Sequence, residues 1–87
     1  MDEYAAVVKR FYEVYQPIGK KYKLRVSSRF QPGKKGFIRI YKGEGRFREM
    51  IIRVEEEDDI TCYERAIDAL EYWKKNREEE NEKYKMA

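Results

Sequence analysis

The chain has 87 residues, of which 43% are charged and 15% are aromatic, and its formal net charge is +3. A chain of this length forms one domain and buries roughly 60 to 65% of its unfolded surface, which excludes a large internal active-site cavity. The aromatic residues are numerous enough to build a compact core, so the composition predicts a globular chain and excludes a disordered one.

The small net charge conceals an uneven distribution along the sequence. Residues 1–54 hold 14 Lys/Arg against 5 Asp/Glu, whereas residues 55–87 hold 6 against 12. The basic part carries strand-like patterns and the acidic part carries a helical one, so we expect each sign of charge to lie on its own surface. Such surfaces favour binding over chemistry.

The location of the protein is predicted from what the sequence lacks. The N-terminal residues contain no apolar run of the kind found in secretion signals, and no segment approaches the ~20 apolar residues that span a membrane. We therefore expect a cytoplasmic protein. The single cysteine, Cys62, allows no internal disulfide and is expected to be a buried or half-buried helix residue, with a disulfide between two copies as the alternative.

The first predicted element is a helix. Asp2 can cap it, and apolar residues recur at spacings of three and four as far as Tyr15. Pro17 is expected to end this helix, because proline cannot donate a backbone hydrogen bond and disfavours helical geometry at the residue before it. Gly19 is then expected in a turn.

Three strand-like segments follow. Apolar and polar residues alternate over residues 22–30, and residues 31–36 form a turn that contains two lysines. The second strand is predicted over residues 37–42. Residues 43–45 are predicted to make a tight hairpin that leads to a third strand over residues 46–55.

The last predicted element is a long helix. Thr61 and Glu64 fit the capping-box pattern, so the helix is expected to begin at Thr61, and its apolar stripe ends at Trp73. We assign residues 1–76 to a single domain and residues 77–87 to a charged, solvated helical extension.

This element order predicts the fold. The order α-β-β-β-α indicates an α+β protein of two layers, in which a three-stranded antiparallel meander has both helices on one face and leaves the other face open.

Alternation along the strands divides the sheet into two faces. The aliphatic positions are expected to meet the helices: Leu24, Val26, Ile38, Ile40, Met50, Ile52 and Val54. The opposite face is then expected to carry five cations, three aromatic rings, one isoleucine and one carboxylate: Lys23, Arg25, Arg29, Phe37, Arg39, Tyr41, Phe47, Glu49, Ile51 and Arg53.

This mixture of side chains predicts nucleic-acid binding. Cations hold phosphates, and aromatic rings stack on unpaired bases. Phe37, Arg39 and Tyr41 form the centre of the predicted interface, and Lys34 and Lys35 in the adjacent turn extend its positive field. The expected ligand is single-stranded or duplex nucleic acid.

Three other interpretations of this face remain open. A solvated sheet face also carries Lys and Arg that keep its edges soluble, and aromatic residues there can pair across strands. A protein partner is the second alternative. The third is a homodimer in which two sheets pair face to face through four apolar residues: Phe37, Tyr41, Phe47 and Ile51.

The densest run of charge is acidic. It comprises Glu55, Glu56, Glu57, Asp58 and Asp59, and Glu64 and Asp68 continue it along the predicted helix. Clustered carboxylates suit Mg²⁺ or Ca²⁺, but the calcium-loop pattern is missing, and acids at a helix start are stabilised by its positive end without any metal. In a third interpretation, this stretch imitates phosphates and docks on a nucleic-acid-binding protein.

Catalytic chemistry has little support in the sequence. Histidine, the usual general base near neutral pH, is absent, and Ser27, Ser28 and Thr61 have no evident activating partner. Neither a phosphate-binding glycine loop nor a metal-ligand pattern is present. We therefore expect a non-enzymatic protein without catalytic residues, cofactor or bound metal.

The element order also resembles known families. Over residues 2 to about 75 it resembles the double-stranded-RNA-binding domain, although that family's last helix begins with lysines where residues 55–59 here are acidic. The stretch from Gly36 through Val54 to the last helix looks like a PUR-type repeat, which binds single strands. The order and size are also similar to small phage-encoded anti-CRISPR inhibitors, a resemblance that implies docking on a nucleic-acid enzyme through residues 55–59.

Overall fold

The computed structural model describes the backbone of residues 2–86 and the side chains of residues 2–79. Six elements follow in order: α1 (Glu3–Tyr22), β1 (Leu24–Arg29), β2 (Gly36–Lys42), a 3-10 helix (Gly45–Phe47), β3 (Glu49–Glu56) and α2 (Asp59–Met86). The strands form an antiparallel sheet in the order β1-β2-β3, with both helices on one face. The predicted α+β fold is confirmed.

The core lies between the sheet and the two helices. Ile38 and Ile40 of β2 are fully buried, as are Phe11 of α1 and Leu70 of α2. The Phe11 ring lies 5.3 Å from the ring of Tyr63, measured between centroids, so it joins α1 to α2. Edge-to-face contacts of this kind add to the free energy gained by burying the rings. Within the described residues, neither helix is long and apolar enough to cross a membrane.

The prediction that Pro17 ends the first helix is wrong, because α1 continues through Pro17 to Tyr22. A proline inside a helix removes one backbone hydrogen bond, so other contacts must offset that loss. Ile18 is buried in the core, and the Tyr22 ring meets the Trp73 ring at a centroid distance of 5.0 Å. Tertiary packing therefore outweighs the local preference, and Gly19 lies inside the helix.

The first strand begins later than predicted. Lys23 ends α1 in the left-handed conformation with φ 57°, and its amide donates to the carbonyl oxygen of Gly19. The strand starts at Leu24, whose carbonyl oxygen accepts a hydrogen bond of 3.0 Å from the Tyr15 hydroxyl. Lys23 is therefore a helix cap and not a strand residue.

A β-bulge changes the faces of the third strand. The register shifts between Ile40 and Tyr41, so that Met50 pairs with Tyr41 and Glu49 pairs with Lys42. The extra residue reverses the alternation on one side of the bulge. The predicted faces of Glu49 and Met50 are therefore wrong: Met50 is 45% exposed and Glu49 leaves the row of Tyr41. Ile51 packs against the core.

The connection between β2 and β3 is longer than a tight hairpin. A 3-10 helix, Gly45–Phe47, separates the two strands, and β3 begins only at Glu49. Phe47, which was predicted in the third strand, lies instead in this connection with 84% of its surface exposed. Gly43 has φ 90°, a conformation that explains the glycine at the start of the turn.

The second helix begins two residues before the predicted start. Asp58 accepts hydrogen bonds from the backbone amide of Thr61 at 3.0 Å and from its hydroxyl at 2.9 Å. Asp58 therefore has the capping role that the sequence assigned to Thr61. The backbone of the helix continues to Met86, through most of the predicted extension of residues 77–87, whereas the side chains beyond residue 79 lie outside the described residues.

Gly36 provides a test of packing at the start of β2. A Cβ atom at this position would lie 2.1 Å from Cδ1 of Phe30, whose ring packs on Tyr63. Gly36→Ala should therefore lower the free energy of unfolding by about 1 to 3 kcal/mol, measured by urea denaturation. In a Phe30→Ala background the clash is gone and the loss should shrink. An equal loss in both backgrounds would contradict this explanation.

Candidate nucleic-acid interface

The strand register places nine side chains on the sheet face that points away from the helices. They form three rows across the sheet, and we call them together the open face. The rows are Arg29, Phe37 and Glu55; Ser27, Arg39 and Arg53; and Arg25, Tyr41 and Met50.

The central row of the open face places two arginines directly opposite each other. Arg39 of β2 pairs with Arg53 of β3, and Ser27 flanks Arg39 on its other side. Like charges at opposed positions destabilise a sheet. The row itself contains no carboxylate, and of the described carboxylates only Glu55 of the neighbouring row lies near Arg53, so an anion bound between the two guanidinium groups would offset their repulsion.

Arg39 also carries a hydrogen-bond donor that has no acceptor among the described residues. Its Nε atom is shielded from solvent, and no group in the described part of the chain accepts a hydrogen bond from it. A shielded donor without an acceptor costs free energy. Its guanidinium group lies over the Phe37 ring, with Cζ 4.3 Å from the ring centroid.

The second aromatic ring of β2 is covered in the same way. Arg48, which follows the 3-10 helix, places its Cζ atom 4.5 Å from the centroid of the Tyr41 ring. Cation–π contacts contribute about 0.5 to 1 kcal/mol at exposed sites. Both rings are half-buried, so Phe37 and Tyr41 lie in the face and do not project from it.

Two carboxylates partly balance the arginines. Glu44 accepts a hydrogen bond of 3.0 Å from Nη2 of Arg25, and the nearest oxygen of Glu55 lies 3.6 Å from Nη2 of Arg53. The side chains of Arg25 and Glu44 are 69% and 79% exposed, so this ion pair contributes little and is screened by salt. Against these two carboxylates stand five arginines on or beside the open face: Arg25, Arg29, Arg39, Arg48 and Arg53.

Six residues of the predicted interface share the open face: Arg25, Arg29, Phe37, Arg39, Tyr41 and Arg53. The other four lie elsewhere. Lys23 caps α1 and Phe47 lies in the 3-10 helix. Lys34 lines a surface depression with three acidic residues that precede or begin α2, and Lys35 lines another beside the same acidic stretch.

Sequence reasoning missed four residues of this surface: Ser27, Arg48, Met50 and Glu55. The bulge turns Met50 onto the open face, against the prediction that it meets the helices. Ser27 and Glu55 follow from simple alternation, because each lies two residues from a predicted member of the face. Arg48 was not predictable from alternation, because it follows the 3-10 helix and precedes the bulge.

The acidic stretch of residues 55–59 is largely committed to contacts within the chain. Asp58 caps α2, and Asp59 accepts a hydrogen bond of 2.8 Å from the amide of Ile60. Glu56 forms a 2.7 Å ion pair with Arg65, and Glu55 lies on the open face. These contacts favour the interpretation that the acidic residues stabilise the start of α2.

The remaining acidic residues of the alternative interface, Glu57, Glu64 and Asp68, are exposed. Over residues 2–79 we found no group of three or more metal-binding side chains arranged to hold an ion.

Cys62 is fully buried, so a disulfide between two folded copies is sterically excluded at this residue. Its Sγ atom lies 3.7 Å from the carbonyl oxygen of Val54. Burial raises the pKa of the Cys62 thiol from 9.0 to about 11, and the Glu56 carboxylate adds to the increase.

Because the Cys62 thiol is buried and protonated at pH 8, we expect it to react with a disulfide reagent far more slowly in the native protein than in the unfolded chain. The unfolded chain loses this proton near pH 9 and the folded chain near pH 11, so the thiol's contribution to stability should fall between these values. Equal reaction rates in native buffer and in denaturant would contradict the assignment.

Comparison with known proteins gives no relative for the chain. No family model matches it, and no curated protein or solved structure is significantly similar to it. A function for the chain is therefore inferred from the geometry of the open face.

Proposed function

We propose that the protein is a non-enzymatic nucleic-acid-binding module that uses the open face. The observation that supports this proposal is the opposed pair of Arg39 and Arg53 in the central row. The planar fork of donors of a guanidinium group matches two oxygens of a phosphate, as it does those of a carboxylate.

A face selected only for solubility would have a different arrangement. Opposite charges stabilise a sheet when they face each other across strands, and lysine at the edges is sufficient to prevent aggregation. The open face instead concentrates arginine, and its central row opposes two of them. Opposed like charges repel across a sheet, and a phosphate chain bound between them would offset that repulsion.

Docking on a protein through the acidic stretch is the weaker candidate. Four of its five carboxylates have partners within the chain or lie on the open face, which leaves Glu57 with Glu64 and Asp68 on α2 for a partner. A face-to-face homodimer loses two of its four predicted contacts, because Phe47 and Ile51 lie off the open face.

The proposal is tested by fluorescence anisotropy with labelled single-stranded DNA, single-stranded RNA and duplex DNA at low salt. We expect micromolar or tighter binding to at least one ligand, and a steep loss of affinity as salt rises, with log K falling by ~0.7 to 0.9 per phosphate neutralised per unit of log salt. A mass measurement by light scattering under the same conditions reports any dimer. Absence of binding to all three ligands would overturn the proposal.

Glu44 and Glu55 provide an independent test, in which the affinity for nucleic acid should rise. Glu44→Gln together with Glu55→Gln should strengthen nucleic-acid binding by roughly threefold to tenfold, because the change frees Arg25 and Arg53 and removes repulsion of the phosphates. As a control, Glu3→Gln with Glu13→Gln removes the same charge from α1. An equal gain in both variants would attribute the effect to net charge and not to these two residues.

A further inference from the structure

We infer that the open face binds single-stranded nucleic acid, with phosphates at the central row and unpaired bases stacked on the arginine-covered rings of Phe37 and Tyr41. This inference rests on the proposed function and names its ligand class. It follows from the spacing of the rings, from their burial and from the chemistry of the groups that cover them.

The spacing of the two rings suits a short single strand. Phe37 and Tyr41 lie on the same face of the central strand, four residues apart, which corresponds to ~13 Å at ~3.4 Å per residue. Bases that stack on these rings are unstacked from one another, so the backbone between them is extended and a few nucleotides bridge this distance. Arg39 follows between them on the strand, and its guanidinium group lies over the Phe37 ring, where the edge of the group can donate to a phosphate beside a stacked base.

The width of the open face also suits a single strand. Three strands at ~4.8 Å give a platform only ~10 Å wide, with the aromatic rings on its midline. Arg25 and Arg29 flank the rings on β1, and Arg53 flanks them on β3. Cations on both sides of a row of rings match a ligand whose bases are central and whose backbone can turn toward either edge.

A duplex fits this surface poorly. Proteins that read duplex DNA insert a helix or a two-stranded ribbon into a groove, and their side chains project toward base edges. Phe37 and Tyr41 are half-buried within the open face, and the faces of paired bases are inaccessible to such a platform. The rings can contribute to affinity only when the bases are unpaired.

The arginines that cover the rings are compatible with stacking. A guanidinium group is planar, and bases stack on guanidinium planes as they do on aromatic rings. Arg39 lies over Phe37 and Arg48 over Tyr41, with Cζ 4.3 and 4.5 Å from the ring centroids, so each ring and its guanidinium group together offer a flat surface to a base. Because every base has a flat π-face, this arrangement predicts weak dependence on sequence.

The test compares three ligands of about ten nucleotides or base pairs at one salt concentration: a single strand, an abasic strand that keeps its sugars and phosphates, and a duplex. The single strand should bind at least about tenfold more tightly than the abasic strand, and more tightly than the duplex. Phe37→Leu with Tyr41→Leu should bring the affinity ratio of single to abasic strand toward one and leave the salt dependence unchanged. Tyr12→Leu, a change at an exposed aromatic residue of α1, serves as the control.

Each outcome separates the two proposals. Equal affinity for the single strand and the abasic strand, or preference for the duplex, would overturn the single-strand inference and leave nucleic-acid binding in place. An unchanged ratio in the Phe37→Leu and Tyr41→Leu variant would overturn the assignment of the rings, provided that its circular dichroism spectrum matches that of the parent protein. Failure of all three ligands to bind would overturn the proposed function itself.

Discussion

Replacing Arg39 and Arg53 together by glutamine is expected to weaken nucleic-acid binding by about 10- to 100-fold. Each guanidinium group should contribute about 1 kcal/mol, because an ion pair on a solvent-exposed face is worth less than a buried charged hydrogen bond. The salt dependence should also become shallower, with the slope of log K against log salt reduced by about 1.4, or 0.7 for each contact that is lost. Anisotropy titrations at several salt concentrations measure both quantities.

A matched variant separates this row from the general positive charge of the protein. Lys9→Gln with Arg10→Gln removes the same charge from exposed positions on α1, in the opposite layer, and should change the affinity far less. Equal losses in the two variants would contradict a role for the central row.

Stability gives a further check on Arg39→Gln. This substitution removes both the repulsion between Arg39 and Arg53 and the contact of Arg39 with the Phe37 ring, two effects of opposite sign, so the free energy of unfolding should change by less than about 1 kcal/mol. A clear fall in stability would indicate that Arg39 supports the sheet itself.

The largest expected effect on stability comes from Phe11→Ala. The Phe11 ring is fully buried and lies within 6 Å of the rings of Tyr12, Tyr15 and Tyr63. Its removal should lower the free energy of unfolding by about 3 to 5 kcal/mol, through lost burial and a cavity between α1 and α2. A domain of this length has about 4 to 13 kcal/mol in total, so the loss is at least about a quarter of its stability.

Urea denaturation followed by circular dichroism measures the change in Phe11→Ala. The neighbouring substitution Tyr12→Ala, at a residue that is 38% exposed, is the control and should cost less than half as much. A loss below about 1 kcal/mol for Phe11→Ala would contradict the central role of this ring in the core.

The fold was predictable because its main signals are periodic. Apolar residues recur at helical spacing in α1, and the alternation of Ile38 and Ile40 with Phe37, Arg39 and Tyr41 persists through β2. These patterns depend on neighbouring residues alone, so the number, type and order of the elements follow from them.

The errors arise where distant contacts override local preference. Pro17 would end an isolated helix, but burial of Ile18 and the contact of Tyr22 with Trp73 keep α1 continuous. The bulge opposite Tyr41 depends on how β2 and β3 pair, a property of two strands that neither strand shows by itself. It moved Met50 and Glu49 to the faces opposite those predicted.

The candidate site was predictable to the extent that it lies on regular strands. Arg39, Tyr41 and Phe37 fall in the uninterrupted part of β2, where alternation alone assigns their face. Phe47 and Arg48 lie in the connection, where alternation fails. The opposition of Arg39 and Arg53 required the register, which the sequence does not encode in any single segment.

The central claim, that nucleic acid binds the open face, is tested most directly by two-dimensional amide NMR of labelled protein titrated with single-stranded DNA. We predict that the largest shift changes fall on the strands, centred on Arg39, Tyr41 and Arg53, while the amides on the outer surface of α1 stay unchanged. Shift changes concentrated at the start of α2, around Glu57 and Glu64, would contradict the claim.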